Sequence, residues 1–296
     1  MADLEFILNH AKEVNADAIV CSGDFFEKPV QPGSVMTPLI KLLKQNTIPI
    51  YTTVGQHDTN GHNCDDYGIK SLGQLDAYGL VKVLIHGEAE DLGYVIIRGY
   101  GFNDPETDDL LSGKMGRPDP NAAYGYDGNE TVFEIALVHA SVGADETMVH
   151  QGISQQSICA ADLALFGDIH QGFEPYEFPS GCLALGLGSL GRRRIDDYGR
   201  VAQFAVIRID NQLDFELEFI SLPGLPDEDI FIAPVEISEE AVDTAAVFKE
   251  EWAKAVAVHD MTPQERARRL GELMVRAGEI SQEAAQLVLS YMPEAE

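Results

Sequence analysis

Residues 1–222 are predicted to fold as an α/β domain, and residues 223–296 as a linker followed by a small helical module. Three observations carry this. Amphipathic helical stripes alternate with short apolar runs. Four of those runs end in Asp or His. After an alternating hairpin over 201–222, the tail carries helix-capping signals instead of strand signals.

Taken in order, Leu4, Ile7, Ala11 and Val14 fall on one helical face, and Asn15-Ala16-Asp17 stops it. The run Ala18 to Cys21 reads as a buried parallel strand that delivers Asp24 at its carboxyl end. A helix over Val35–Lys44 leads to a strand over Pro49–Val54, which ends in Gly55-Gln56-His57-Asp58. A helix at 67–78 precedes strands at 81–84 and 93–99. Residues 103–130, rich in Asn, Asp, Pro and Gly, read as a long surface loop. The strand Val132–Val138 ends in His139-Ala140-Ser141, and Leu163–Phe166 ends in Gly167-Asp168-Ile169-His170. From 173 to 222 the pattern turns antiparallel, with a turn at Asp210-Asn211-Gln212. In the tail, Ser238 can cap a helix, Thr262-Pro263-Gln264-Glu265 forms a capping box with Pro at the first helical position, and Ser281 opens a last helix.

Composition bounds the function. With 45% hydrophobic residues the chain can bury a sizeable core, and no apolar run approaches the ~18 residues needed to span a bilayer. The N-terminus lacks a signal-peptide pattern, and Cys21, Cys64, Cys159 and Cys182 lie far apart with no CxxC pair. A disulfide framework and a zinc knuckle are therefore not expected, and a cytoplasmic setting is. Against 49 Asp and Glu stand 20 Lys and Arg, a net charge of −29, which opposes nucleic-acid binding by this chain alone.

In open α/β sheets, side chains at the carboxyl ends of strands converge on a crevice. Asp24, Gln56, His57, Asp58, His139, Asp168 and His170 all occupy such ends. Carboxylate, amide oxygen and imidazole are suited to Mn, Fe, Zn or Mg, and two such ions a few Å apart clamp a phosphate and activate water.

The ordered set Gly23-Asp24, Gly55-Gln56-His57-Asp58, Val138-His139-Ala140-Ser141 and Gly167-Asp168-Ile169-His170 resembles the calcineurin-like metallophosphoesterase superfamily. Asp17-Ala18-Ile19-Val20-Cys21-Ser22-Gly23-Asp24-Phe25-Phe26, the Gly99-Tyr100-Gly101 turn and Gly188-Ser189 narrow the resemblance to SbcD-type DNA exonucleases and their phage relatives. It covers about residues 1–222. It implies a four-layer α/β/β/α sandwich, here N-terminally incomplete, and two divalent ions, foremost Mn2+ with Mg2+ as the other candidate. It implies a carboxylate bridging both ions at Asp24, a ligand of the first ion at His170, and ligands of the second at Gln56, His139 and Asp168. His57 matches the histidine that protonates the leaving oxygen, with Asp58 orienting it. The implied partners are DNA, an SbcC-type ATPase and a second copy of the chain, in the cytosol of a bacterium or of a phage-infected host.

Three departures stand out. Gln56 replaces the usual Asn, and Asp168 the usual first His of the last motif. The family's opening Asp-x-His strand has no counterpart, since His10 lies inside the first helix; a piece upstream of Met1 is expected to supply it. Alternative readings are an inactive scaffold for the ATPase, and an esterase for small phosphodiesters or phosphoproteins. Arg192-Arg193-Arg194, beside Ser189, is the one dense basic cluster and the candidate contact for the DNA backbone. His62 and His86 read as loop histidines, His150 and His259 as surface ones, and Asp65-Asp66 and Asp108-Asp109 as solvated acids or helix-start acids.

Overall fold

The computed structural model describes residues 1–60, 63–111, 132–143, 153–154, 159–191, 197 and 199–224. By its internal contacts the chain divides into two units, Met1–Ile230 and Phe231–Glu296. The expected tail helices and Arg192, Arg193 and Arg194 lie outside the described residues. No helix among those residues is long and apolar enough to cross a membrane.

The elements alternate as the periodicity predicts. Helix α1 (Ala2–Glu13) has Asp3 and Glu5 in its first turn and His10 and Lys12 in its last, matching the helix dipole, and buries Ile7, Leu8 and Ala11. It is followed by β1 (Ile19–Cys21), α2 (Gly33–Leu43), β2 (Ile50–Thr52), a 3-10 turn (Gln56–Asp58), a 3-10 helix (Cys64–Ile69), α3 (Ser71–Ala77) and β3 (Lys82–Val83). β1, β2 and β3 form a parallel sheet in that order. Next come β4 (Ala89–Asp91), β5 (Val95–Tyr100), α4 (Pro105–Leu111), β6 (Phe133–Val138), the short pair β7 (Val142–Gly143) and β8 (Ile153–Ser154), then β9 (Leu163–Phe166), β10 (Phe173–Glu177) and β11 (Leu183–Gly186). A second sheet has the order β10-β11-β9-β6-β5-β4. The hairpin β12 (Gln203–Ile209) and β13 (Phe215–Ser221) completes the described part.

Side-chain alternation on the strands defines the layers. On β6, Phe133, Ile135 and Leu137 enter a cluster with Tyr51 and Leu84 of the first sheet, while Ala136 and Val138 face Leu110 and Leu111 of α4. Leu8, Met36, Leu39, Leu72 and Leu75 of the first three helices cover the other face of the first sheet, against Ile50 and Val83. The order is thus helices, sheet, sheet, helix: the expected four-layer α/β/β/α sandwich.

Four local expectations are corrected. The helix expected over 67–78 is broken at Lys70, whose backbone is extended, because the Ser71 amide donates to the Pro29 carbonyl instead of continuing a helix. The loop expected from 103 begins with α4, where Pro105 takes the first helical position and the Asp104 carboxylate accepts from the Glu106 amide. Its apolar end, Leu110 and Leu111, is buried; residues 112–131 lie outside the described residues. β11 pairs antiparallel with β10 but parallel with β9, so the change to antiparallel structure at 173 is partial. β4, an edge strand with the acids Glu90 and Asp91, was not expected and pairs antiparallel with β5.

Candidate metal centre

The predicted ligands come from both sheets. Asp24 follows β1 and Gln56 follows β2, whereas His139 follows β6 and Asp168 and His170 follow β9. Their meeting point is the joint rim of the two sheets. The Gly-Asp spacing is set by close approach: a Cβ on Gly23, which has φ +94°, would collide with the His139 ring, and one on Gly167 would strike the Ser22 carbonyl. Asp24 and Asp168 themselves adopt left-handed backbone, at φ 50° and 77°. Such non-glycine outliers cost energy and cluster at functional sites.

His139 is 1% exposed. Its Nδ1 lies 2.7 Å from the Ser22 carbonyl, which can only accept, so Nδ1 carries the proton and Nε2 keeps its lone pair. That lone pair is aimed at Asp24, with Nε2 3.5 Å from Oδ2, and Nε2 finds no hydrogen-bond partner among the described residues. A buried lone pair facing a carboxylate is repulsive unless a cation joins them. Nearby, the Gln56 amide donates to Asp168 Oδ1 at 3.2 Å, and the Ser141 hydroxyl donates to Asp168 Oδ2. Asp24 and His139 thus stand together, and Gln56 and Asp168 are joined to each other; Asp168 directly follows Gly167, whose Cβ would reach the His139 ring, and the mix of anionic oxygen, amide and imidazole fits a divalent cation.

His57 sits at the rim with its ring about a third exposed. Its backbone amide donates to Asp24 Oδ1 at 2.9 Å, and its Nε2 is 4.0 Å from Asp24 Oδ2. Asp58 has a different task from the one expected. It is fully buried, and its two oxygens accept from the backbone amides of Gly55 (3.0 Å), Phe25 (3.2 Å) and Phe26 (3.0 Å). Its carboxylate therefore clamps the β1 and β2 end loops together, and does not address the His57 ring. Burial pushes its carboxyl up to about 6, opposed by the three amide bonds and reinforced by the Asp24 charge.

His170 flanks the group from the β9 end, and its carbonyl accepts from the Ser189 amide at 2.9 Å. Ser189 thereby borders the site, its own hydroxyl turned to the Gly191 carbonyl. Arg200 donates to the Ser189 and Gly191 carbonyls and bonds Asp197, so it braces this loop.

The model of the calcineurin-like phosphoesterase family matches residues 1–172. The chain belongs to that family. It is therefore a metal-dependent phosphoester hydrolase by descent, and Asp24, Gln56, His139 and Asp168 fall within the matched span. No curated protein sequence matches the chain. One similar solved structure has 12% identity and a TM-score of 0.40, covering 73% of this chain and 92% of its own, a likeness too slight to carry argument.

Sequence reasoning passed over a second group. His86, taken for a loop histidine, is held from both sides by Asp65 and the fully buried Asp104 carboxylate, with Cys64 alongside. Asp65, taken for a solvated acid, pairs with it at 2.7 Å. His86 lies 18 to 22 positions from each of these partners in sequence, a separation at which no spacing rule links them.

Proposed function

We propose that the chain is the nuclease subunit of a DNA end-processing pair of the SbcC/SbcD kind, cleaving DNA phosphodiesters with Mn2+ or Mg2+. The buried Nε2 of His139, beside Asp24 and without a hydrogen-bond partner among the described residues, supports the hydrolytic part of this reading most directly. The narrower DNA reading is supported by where the SbcD-like segments lie. Phe25 and Phe26 are pinned by Asp58, Phe102 after the Gly99-Tyr100-Gly101 turn meets the His139 ring at 6.2 Å, and Ser189 is tied to His170. All three segments border one site.

Divalent ions held there supply positive charge to the phosphate and activate water. Asp24, Gln56, His139 and Asp168 would hold that charge. With its ring open to the rim, His57 can carry a proton at Nε2 to the departing oxygen. Asp58 positions the turn that carries His57. With a net charge of −29, binding to duplex DNA falls to the ions, to Arg192, Arg193 and Arg194, and to an SbcC-type ATPase. A homodimer is part of the same proposal.

The test is Mn2+-dependent cleavage of linear duplex DNA. His57→Ala is expected to lower it about 10²- to 10⁴-fold while retaining bound metal. Hydrolysis of a chromogenic phosphodiester without DNA cleavage would move the reading to small phosphodiesters. Loss of both would leave an inactive scaffold.

A further inference from the structure

The geometry points to a second, thiolate-containing metal site made of Cys64, Asp65 and His86, with Asp104 orienting the histidine, and to zinc as its ion. His86 Nδ1 is 3.1 Å from Asp104 Oδ1, and that carboxylate is itself fixed by backbone amides: His86 at 2.6 Å, Gly101 at 3.2 Å and Glu106 at 3.0 Å. An acceptor-only carboxylate on Nδ1 places a proton there, the carboxylate–histidine arrangement that accompanies bound metals, so that Nε2, which donates to Asp65 Oδ1 without metal, becomes the ligating nitrogen once it gives up its own proton.

Cys64, His86 and Asp104 each offer a ligand atom within 4.8 Å of the others, and Asp65, exposed, approaches Nε2 as a further ligand. Nε2 is 3.9 Å from Cys64 Sγ and 2.7 Å from Asp65 Oδ1. A tetrahedral zinc ion with bonds of about 2.0–2.3 Å sets its ligand atoms about 3.3–3.6 Å apart. The sulfur–nitrogen edge is close to that span, and the nitrogen–oxygen edge needs to open by about 0.6 Å. Asp65 is exposed and free to move outward, while Cys64 and Asp104 are fixed in the core. Three protein ligands leave a fourth position for water.

Ligand chemistry separates this site from the one at Asp24. Sulfur with imidazole and one carboxylate selects zinc over manganese or magnesium, whereas the Asp24 group contains no thiol ligand. Binding displaces the Cys64 thiol proton as the sulfur–metal bond forms, and a second proton leaves Nε2 where the ring is charged. The ion would join the segment after the Gln56–Asp58 turn to the Gly101–Asp104 turn.

The full-length chain is loaded with Co2+ and its near-ultraviolet spectrum recorded, since a thiolate-to-cobalt band reports a cysteine ligand and nothing else. The wild type and His139→Ala should both show the band, and Cys64→Ser should lose it. Zinc content should fall by one equivalent in Cys64→Ser. Asp104→Asn should weaken cobalt binding about 10- to 100-fold with the band retained at saturation, which keeps the proposal testable if Cys64→Ser does not fold. A wild type without the thiolate band, or a folded Cys64→Ser variant that keeps it, would overturn the site.

Discussion

His139 and His86 both stand at strand ends beside buried carboxylate chemistry, and they are satisfied in opposite ways. Among the described residues the inner nitrogen of His139 has one hydrogen bond, to Ser22, and its outer nitrogen has none, only the Asp24 carboxylate at 3.5 Å. Both nitrogens of His86 have partners, Asp104 and Asp65, and its titration is shifted upward, chiefly by the Asp65 bond. A buried polar atom left unpaired costs about 1–3 kcal/mol. The Asp24 group therefore carries a cost that a cation removes, whereas the Asp104–His86–Asp65 group can persist as a hydrogen-bonded triad without one. The first region needs its ion to be satisfied; the second can exchange one set of partners for another.

The sharpest way to break this comparison is His139→Ala. Removing the buried imidazole nitrogen aimed at Asp24 should abolish metal-dependent hydrolysis, at least about a thousandfold, because charge stabilisation by the ion is worth several kcal/mol and each 1.36 kcal/mol is a factor of ten. The same variant should lose most of the rise in unfolding temperature that Mn2+ gives the wild type. A variant that keeps both would show that the unpaired nitrogen is not a ligand.

Next in size is a matched pair of glycines. A Cβ on Gly167 would run into the Ser22 carbonyl and the His139 ring at the seam between the sheets, so Gly167→Ala should destabilise by about 1–3 kcal/mol and weaken metal binding. A Cβ on Gly101 comes no closer than 3.0 Å, to the Cys64 Cβ, with the Ile85 side chain and the Val54 carbonyl at 3.3 Å, so Gly101→Ala should cost about 1 kcal/mol or less. Chemical denaturation of the two variants measures the difference. Equal costs would mean that the sheet seam is no tighter than the loop beside it.

The two regions also differ in how legible they were. The candidate residues around Asp24 follow from short apolar strands, each ending in a side chain of metal-ligating type, because strand ends in an α/β fold converge by topology. The sequence did not reveal that Asp58 is spent on three backbone amides, since an acid next to a histidine looks the same whether it faces the ring or the loop. His86 escaped because its partners depend on the Cys64–Ile69 helix and the α4 start folding toward each other. One signal was available. Asp104-Pro105-Glu106 has the same cap-then-proline form recognised at Thr262-Pro263, and reading it would have turned the expected loop into α4 and fixed Asp104 in place. The apolar runs of β6 and β9, buried along nearly their whole length, were legible as strands, whereas β4, polar and at an edge, had no burial to mark it.

The smallest effect tests whether the two regions communicate. Phe102 follows the Gly101 turn, which touches Cys64, and its ring meets the His139 ring edge-on at 6.2 Å and 73°. An edge-to-face aromatic contact is worth about 0.5–1.5 kcal/mol. If that contact helps hold the His139 ring, Phe102→Leu should raise the Mn2+ concentration for half-maximal hydrolysis about two- to tenfold with the maximal rate little changed. If orientation rests on the Ser22 bond alone, the Mn2+ requirement will not move. In that case the two clusters are neighbours without being coupled, and filling one with metal should leave the affinity of the other unchanged.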